Sequence, residues 1–140
     1  MKKIDMPIMR PVPVNTKNQS TFTQLKRWIT IVRQWEIMEN WQFTLPSGVK
    51  ITIPAGFVFD GASVPRVFWC ALSPTGILFI PSLIHDFGYH NGFFWATSED
   101  GHRYQYGELF NRETFDQIFY DVCKKVNGIK YVSRAAWLMI

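Results

Sequence analysis

The sequence predicts an α+β fold: a small N-terminal antiparallel β-sheet over about residues 24–60, then a helical half over about residues 62–140. Three observations predict it. Apolar residues partly alternate from Trp35 through Ile37, Trp41 and Phe43 to Leu45, the period of a half-buried strand. Leu45-Pro46-Ser47-Gly48-Val49 then punctuates two strand-forming runs as a hairpin turn does. Further on, Phe115, Ile118, Phe119, Val122 and Val126 recur at the spacing that leaves one apolar stripe on a helix.

The elements follow in order. Residues 1–20 are rich in Pro, Lys and Asn and read as an extended arm, either mobile or laid along a neighbour. Residues 21–140 read as a single domain. Trp28 to Val32 is β-branched and apolar, a first strand. Met38 to Asn40 interrupts the alternation and reads as a turn. Val49, Ile51 and Ile53 alternate with Lys50 and Thr52 until Pro54-Ala55-Gly56 ends the strand, and Phe57 to Phe59 is one more.

After Asp60 the character changes. A short helix is expected around Pro65–Leu72, with Ser63 as its cap. Ile80-Pro81-Ser82 opens the next helix, which runs to about Tyr89 or His90 and is closed by Asn91-Gly92. Residues 92–110 read as a long aromatic and polar loop with three Gly. Asn111 caps a strong helix from Arg112 to Asn127, with Glu113 in its first turn and Lys124-Lys125 in its last, the charge order a helix dipole favours. Gly128 stops it, and Val132 to Ile140 reads as a last short helix.

Composition narrows the function classes. A chain of 140 residues buries roughly two-thirds of its unfolded surface, enough for a real core. At 47% hydrophobic and 19% charged it is a folded protein. Six Trp and twelve Phe are many for a small core, so the core is aromatic-rich or some rings meet a partner or lipid. The net charge of +4 is mild, and no basic run exceeds Lys2-Lys3 and Lys124-Lys125, which argues against nucleic acid as partner. The opening MKKIDMPIMRPVPV lacks the apolar run of a secretory signal, and no window reaches the ~18 apolar residues of a membrane span. Cys70 and Cys123 read as free, buried thiols of a protein synthesised in a reducing cytoplasm.

The chemistry gathers on the helix at 80–90. His85 and Tyr89 are four apart and share a face, whereas Asp86 is rotated by about 100° from His85. Neighbouring His and Asp on a helix therefore face different partners, and a tautomer-fixing carboxylate for His85 must come from elsewhere. Asp116 is the candidate, because it lies beside the apolar stripe and an unpaired buried charge is costly. If the two helices run antiparallel, Asp116 meets the His85 ring and leaves it free to take a proton from water. Asp86 and Asp60, with carbonyls of the glycine loop after Asp60, are hard oxygen ligands of the kind Ca²⁺ takes. The plainer alternatives are that Asp60 is a turn residue and that Tyr89 fills the core with its hydroxyl on Asp116. His90 and His102 read as surface residues, and Phe93-Phe94-Trp95 as core or as a lipid- or protein-facing patch.

The string His85-Asp86-Phe87-Gly88-Tyr89-His90-Asn91, followed by Asn111 through Cys123, resembles the secreted phospholipases A2 of bacteria and fungi. Asp60-Gly61-Ala62-Ser63 resembles that family's calcium loop. The resemblance spans roughly residues 58–126 and implies His85 as general base, Asp116 as its orienter, Asp86 and Asp60 as Ca²⁺ ligands, and hydrolysis of lipid esters. The chain departs from those enzymes in lacking a secretory leader and paired cysteines, and in its predicted sheet. The longer stretch from Pro54 through Pro65 to Asp86 resembles a family of small uncharacterised proteins encoded by tailed phages and prophages. Two expectations follow: a calcium-dependent hydrolase of envelope lipid, or a non-catalytic virion component of the tail or baseplate. The second would meet other virion proteins through the N-terminal arm and the aromatic patches.

Overall fold

The computed structural model describes residues 5–13, 20–23, 34–60, 78–128 and 134. Within them, antiparallel sheets fill the N-terminal half and helices the C-terminal half, the expected α+β fold. One sheet joins β1 (Met9–Pro11), β2 (Trp35–Ile37) and β5 (Val58–Phe59) in the order β1-β2-β5. The other joins β3 (Trp41–Thr44), β4 (Lys50–Ile53), β6 (Phe94–Thr97) and β7 (Arg103–Tyr106) in the order β3-β4-β6-β7. The two long helices are α1 (Phe79–Asn91) and α2 (Arg112–Asn127).

The strands form where period-two patterning demands it. Ile37, Trp41, Phe43, Leu45, Ile51 and Ile53 are all buried, while Gln42, Thr44 and Lys50 between them are exposed. The turn at Met38 to Asn40 separates β2 from β3 and so moves the chain from one sheet to the other. Gly48, at φ 90°, closes the β3–β4 hairpin. Of the expected N-terminal arm, residues 9–11 form the edge strand β1, with Met9 opposite Ile37, and Arg10 Nε donates to Glu36 Oε2 at 2.7 Å. The strand at Trp28–Val32, the short helix at Pro65–Leu72 with its Ser63 cap, and the helix at Val132–Ile140 apart from Arg134 lie outside the described residues.

Residues 92–110 are a correction: they form the β6–β7 hairpin, not a loop. Phe94 and Ala96 point into the core and are fully buried, whereas Phe93 and Trp95 lie on the other face. Three consecutive aromatic residues hid that alternation, because the outward pair is as apolar as the inward one. On the outer face Phe93 and Trp95 meet edge to face at 4.9 Å, and the Arg103 guanidinium covers Trp95 at 4.3 Å.

The helices end as their sequences dictate. The Asn111 side chain accepts from the Thr114 N–H at 2.9 Å, and Gly128 and Gly92 take the left-handed conformation that terminates α2 and α1. Lys125 Nζ donates to the carbonyls of Thr44 and Leu45, which ties the last turn of α2 to the β3–β4 hairpin. The aromatic excess is spent largely in the core, where Phe79 meets Phe59 at 5.2 Å and Phe94 meets Phe115 at 5.7 Å.

Candidate functional site

The two helices pack antiparallel. His85 meets Phe119 at a ring separation of 5.4 Å, and one turn later Tyr89 meets Phe115 at 6.0 Å, so the contacts run in opposite chain directions. Gly88 makes the approach close. A methyl group there would lie 2.7 Å from the Phe115 ring and 2.8 Å from the Phe94 ring, distances no carbon pair tolerates.

This packing brings Asp116 to His85. The imidazole Nε2 lies 2.8 Å from Asp116 Oδ1, and an ionised carboxylate only accepts, so Nε2 carries the proton. The Tyr89 hydroxyl donates to the same oxygen at 2.9 Å, and its ring lies over the imidazole at 4.2 Å. In the neutral ring, His85 Nδ1 is then the lone-pair nitrogen. Its approach to Asp86 Oδ1, 3.9 Å, is too long for a hydrogen bond, as the helical rotation between adjacent residues requires. His85 is thus held by Asp116 on one nitrogen and faces the Asp86 side with the other.

The charges respond to this enclosure. Burial pulls the His85 pKa down, but the carboxylates of Asp86 and Asp116 outweigh it and hold the ring above its ordinary value. Burial pushes the Asp86 carboxyl up, His85 opposes the rise, and the Asp60 charge adds to it. Burial and the bond to Asp116 raise Tyr89, with Arg112 opposing.

Beside the pair lies a cleft of about 540 Å³. Asp86, Tyr89 and His90 of α1 form one wall; Gln34 and the segment Phe57 to Asp60 form the other. Asp60 therefore faces the same cleft as Asp86, and its Oδ1 accepts a hydrogen bond from Gln34 Nε2 at 3.0 Å. Among the described residues, no group of three or more His, Cys, Asp or Glu is placed to hold a metal ion. Calcium takes about six to eight oxygens, of which two carboxylates supply a part; the loop after Asp60 lies outside the described residues.

The sequence reading located His85, Asp116, Tyr89, Asp86 and Asp60, and the fold gathers them at one cleft and its adjoining helix pair. It missed Gln34, which carries no motif and earns its place only through strand pairing. His90 is exposed, as expected, yet it also lines the cleft and meets Phe57 edge to face at 6.3 Å. His102 sits exposed at the β6–β7 turn. Cys123 is a free, buried thiol, and burial pushes its pKa up to about 12; Cys70 lies outside the described residues. No helix among the described residues is long and apolar enough to cross a membrane.

The chain is similar to the uncharacterized protein y4jT of Sinorhizobium fredii (strain NBRC 101917 / NGR234), with 33% identity over 80 residues. That similarity covers 55% of this chain but only 23% of the relative, so the chain spans a small part of that protein's length. No solved structure matches it. Residues 35–140, which include both helices, the cleft walls from Phe57 onward and every candidate site residue from Asp60 to Asp116, match the family described as protein of unknown function (DUF1353), and the chain belongs to that family.

Proposed function

We propose that this chain is a phage-encoded, phospholipase-A2-like, calcium-dependent hydrolase of ester bonds in envelope lipid. The observation that carries the reading is the His85–Asp116 pair at 2.8 Å, with Nδ1 on the side of Asp86, which itself lines the cleft. A water bound at Nδ1 attacks the ester carbonyl carbon, and its proton passes to Nδ1. Asp116 stabilises the imidazolium that forms, and Tyr89 holds Asp116 in place. Collapse of the tetrahedral intermediate breaks the bond to the alcohol oxygen, which takes the proton from Nδ1. The products are a free acid and an alcohol.

Asp86 and Asp60 are the residues that would hold calcium, since both face the cleft and both offer hard oxygen. When bound, the ion supplies Lewis-acid polarisation of the carbonyl. The order of residues around His85 and Asp116, which resembles that of secreted phospholipases A2, supports lipid ester as the substrate class.

The test is fatty-acid release from phospholipid vesicles, with calcium and with chelator. His85→Asn should lower the rate by about 100- to 10,000-fold while circular dichroism stays that of the parent. Undiminished release by the variant overturns the mechanism.

A second reading, a non-catalytic tail or baseplate component, is favoured by a different observation. Met6 and Ile8, 52% and 59% exposed, precede the edge strand β1 and offer apolar surface to another chain. That reading expects substitutions at His85 and Asp116 to be tolerated and substitutions along β1 to block assembly.

A further inference from the structure

We infer that the outer edge of β2 is a strand-acceptor site, and that residues 5–12 of one copy of this chain dock on it in a second copy, so that two copies exchange their N-terminal segments. The inference stands apart from the hydrolase reading, and it gives the assembly reading above a specific partner.

The segment meets the domain as a bound peptide does. Pro7 is buried and Met9 half-buried, while Met6, Ile8 and Arg10 beside them are exposed. A sheet edge binds an extended peptide in this way, with a backbone ladder for affinity and pockets for alternate side chains. The ladder runs beyond the three residues of β1: the Met38 N–H donates to the Ile8 carbonyl and the Val12 N–H to the Gln34 carbonyl, both at 2.8 Å. Two side chains of the receiving domain add recognition. The Trp41 indole N–H donates to the Asp5 carbonyl at 2.9 Å, and the Glu36 carboxylate pairs with Arg10. The edge is thus fitted to an extended segment carrying a proline, an apolar residue two positions on and a basic residue after it.

Three observations separate the segment from the domain that receives it. Among the described residues the hydrophobic core cluster begins at Ile37, and of the segment only Met9 packs against it, so the segment can lift without opening the core. The family's domain begins at Trp35, the first residue of β2, and so starts with the accepting edge but not with the strand that covers it. An uncovered edge of that kind is one natural sheets take care to fill. Val12 and Gln34 are bonded to each other, yet 21 residues lie between them. A hairpin joining two such ends needs only about two to five residues. A connection of the length present reaches up to about 70 Å when extended, several times the radius of gyration of a domain this size, about 14 Å. The same ladder can therefore form on a neighbour with the same contacts, a low-cost route to a closed dimer in which each copy gives and receives. Because β2 also pairs with β5, which lies in the cleft wall, the strand given by one copy backs the cleft of the other.

The experiment uses two full-length proteins in a Cys70→Ser background, one with Arg10→Cys and the other, enlarged by a tag, with Glu36→Cys. Positions 10 and 36 are partners in the ladder, so their Cα atoms lie about 5.5 Å apart, within disulfide range. Cys123 is buried and stays out of the reaction. The two proteins are mixed at micromolar concentration, oxidised mildly and separated without reductant. Cysteines held together by a docked strand meet at an effective concentration of about millimolar. The mixed covalent dimer should therefore exceed, by about tenfold or more, the adduct that the Arg10→Cys chain forms with a Gln105→Cys chain, whose cysteine is exposed on the other sheet. A single chain carrying both Arg10→Cys and Glu36→Cys tests the pairing itself, and should give disulfide-linked dimers in a share that rises with concentration during folding. A mixed dimer no more abundant than the control adduct, with the double variant closing only within its own chain, overturns the exchange. A double variant that forms no disulfide of either kind overturns the docking of the segment on β2 altogether.

Discussion

Gly88→Ala places one methyl group into the tightest part of the helix interface. Its carbon would lie 2.7 and 2.8 Å from two atoms of the Phe115 ring and 2.8 Å from Phe94 Cζ. Neither ring can step aside cheaply: Phe94 is fully buried and Phe115 packs against Phe94, Tyr89 and Phe110. Overpacking of this kind costs about 1–3 kcal/mol, and two rigid rings put it in the upper half of that range. Alanine in place of glycine inside a helix returns about 1 kcal/mol. The net loss is then about 1–2 kcal/mol, or roughly 3–8 °C in Tm for a domain of this size. Scanning calorimetry reads it directly. Phe115→Leu should relieve the clash, so the double variant should be more stable than the sum of the single effects by about 1 kcal/mol. A Gly88→Ala protein that melts at or above the parent temperature refutes the close approach, because helix propensity alone would then account for the change. The same displacement would also move Asp116, the neighbour of Phe115, and lengthen its bond to His85.

Two further outcomes follow from burial and charge. Because the Asp86 pKa is raised in the folded chain, its ionised form is the disfavoured one; the stability it contributes is full below the ordinary carboxylate range and lost as pH rises through the folded value. Asp86→Asn should therefore raise the Tm of the calcium-free protein at neutral pH, with the gain vanishing in acid; a lower Tm at neutral pH in chelator contradicts this. In a Cys70→Ser background, Cys123, whose thiol is pushed up to about 12, should react with an aromatic disulfide reagent at mildly alkaline pH only as the protein unfolds, and prompt reaction of the native chain would show that α2 is not packed as described.

How much of this was legible in the residues depends on the range of the interaction that fixed each part. α2 was readable to its ends, since the Asn111 cap, the Gly128 stop and the apolar stripe are all local. The β3–β4 hairpin was readable for the same reason. The His85–Asp116 pair joins distant residues, yet a carboxylate at the edge of a buried stripe demands a partner, and His85 was the available one. β6 and β7 were not readable: Phe93, Phe94 and Trp95 are alike in hydropathy, and β7 is largely exposed, so neither strand shows a clear period of two. Gln34 was beyond reach altogether, because it meets Asp60 only once β2 and β5 are in register.

The single oxygen of Asp116 that accepts from both His85 and Tyr89 has a consequence for the proton inventory of the ring. A free imidazole exchanges its proton between two nitrogens through solvent, so at any instant a mixture of tautomers is present. A hydrogen bond to an ionised acceptor is worth about 1.5–3 kcal/mol, which biases such a mixture by roughly ten- to a hundredfold. The tautomer population of His85 is therefore settled by the fold before any ligand arrives, and the ring need not reorganise to present Nδ1.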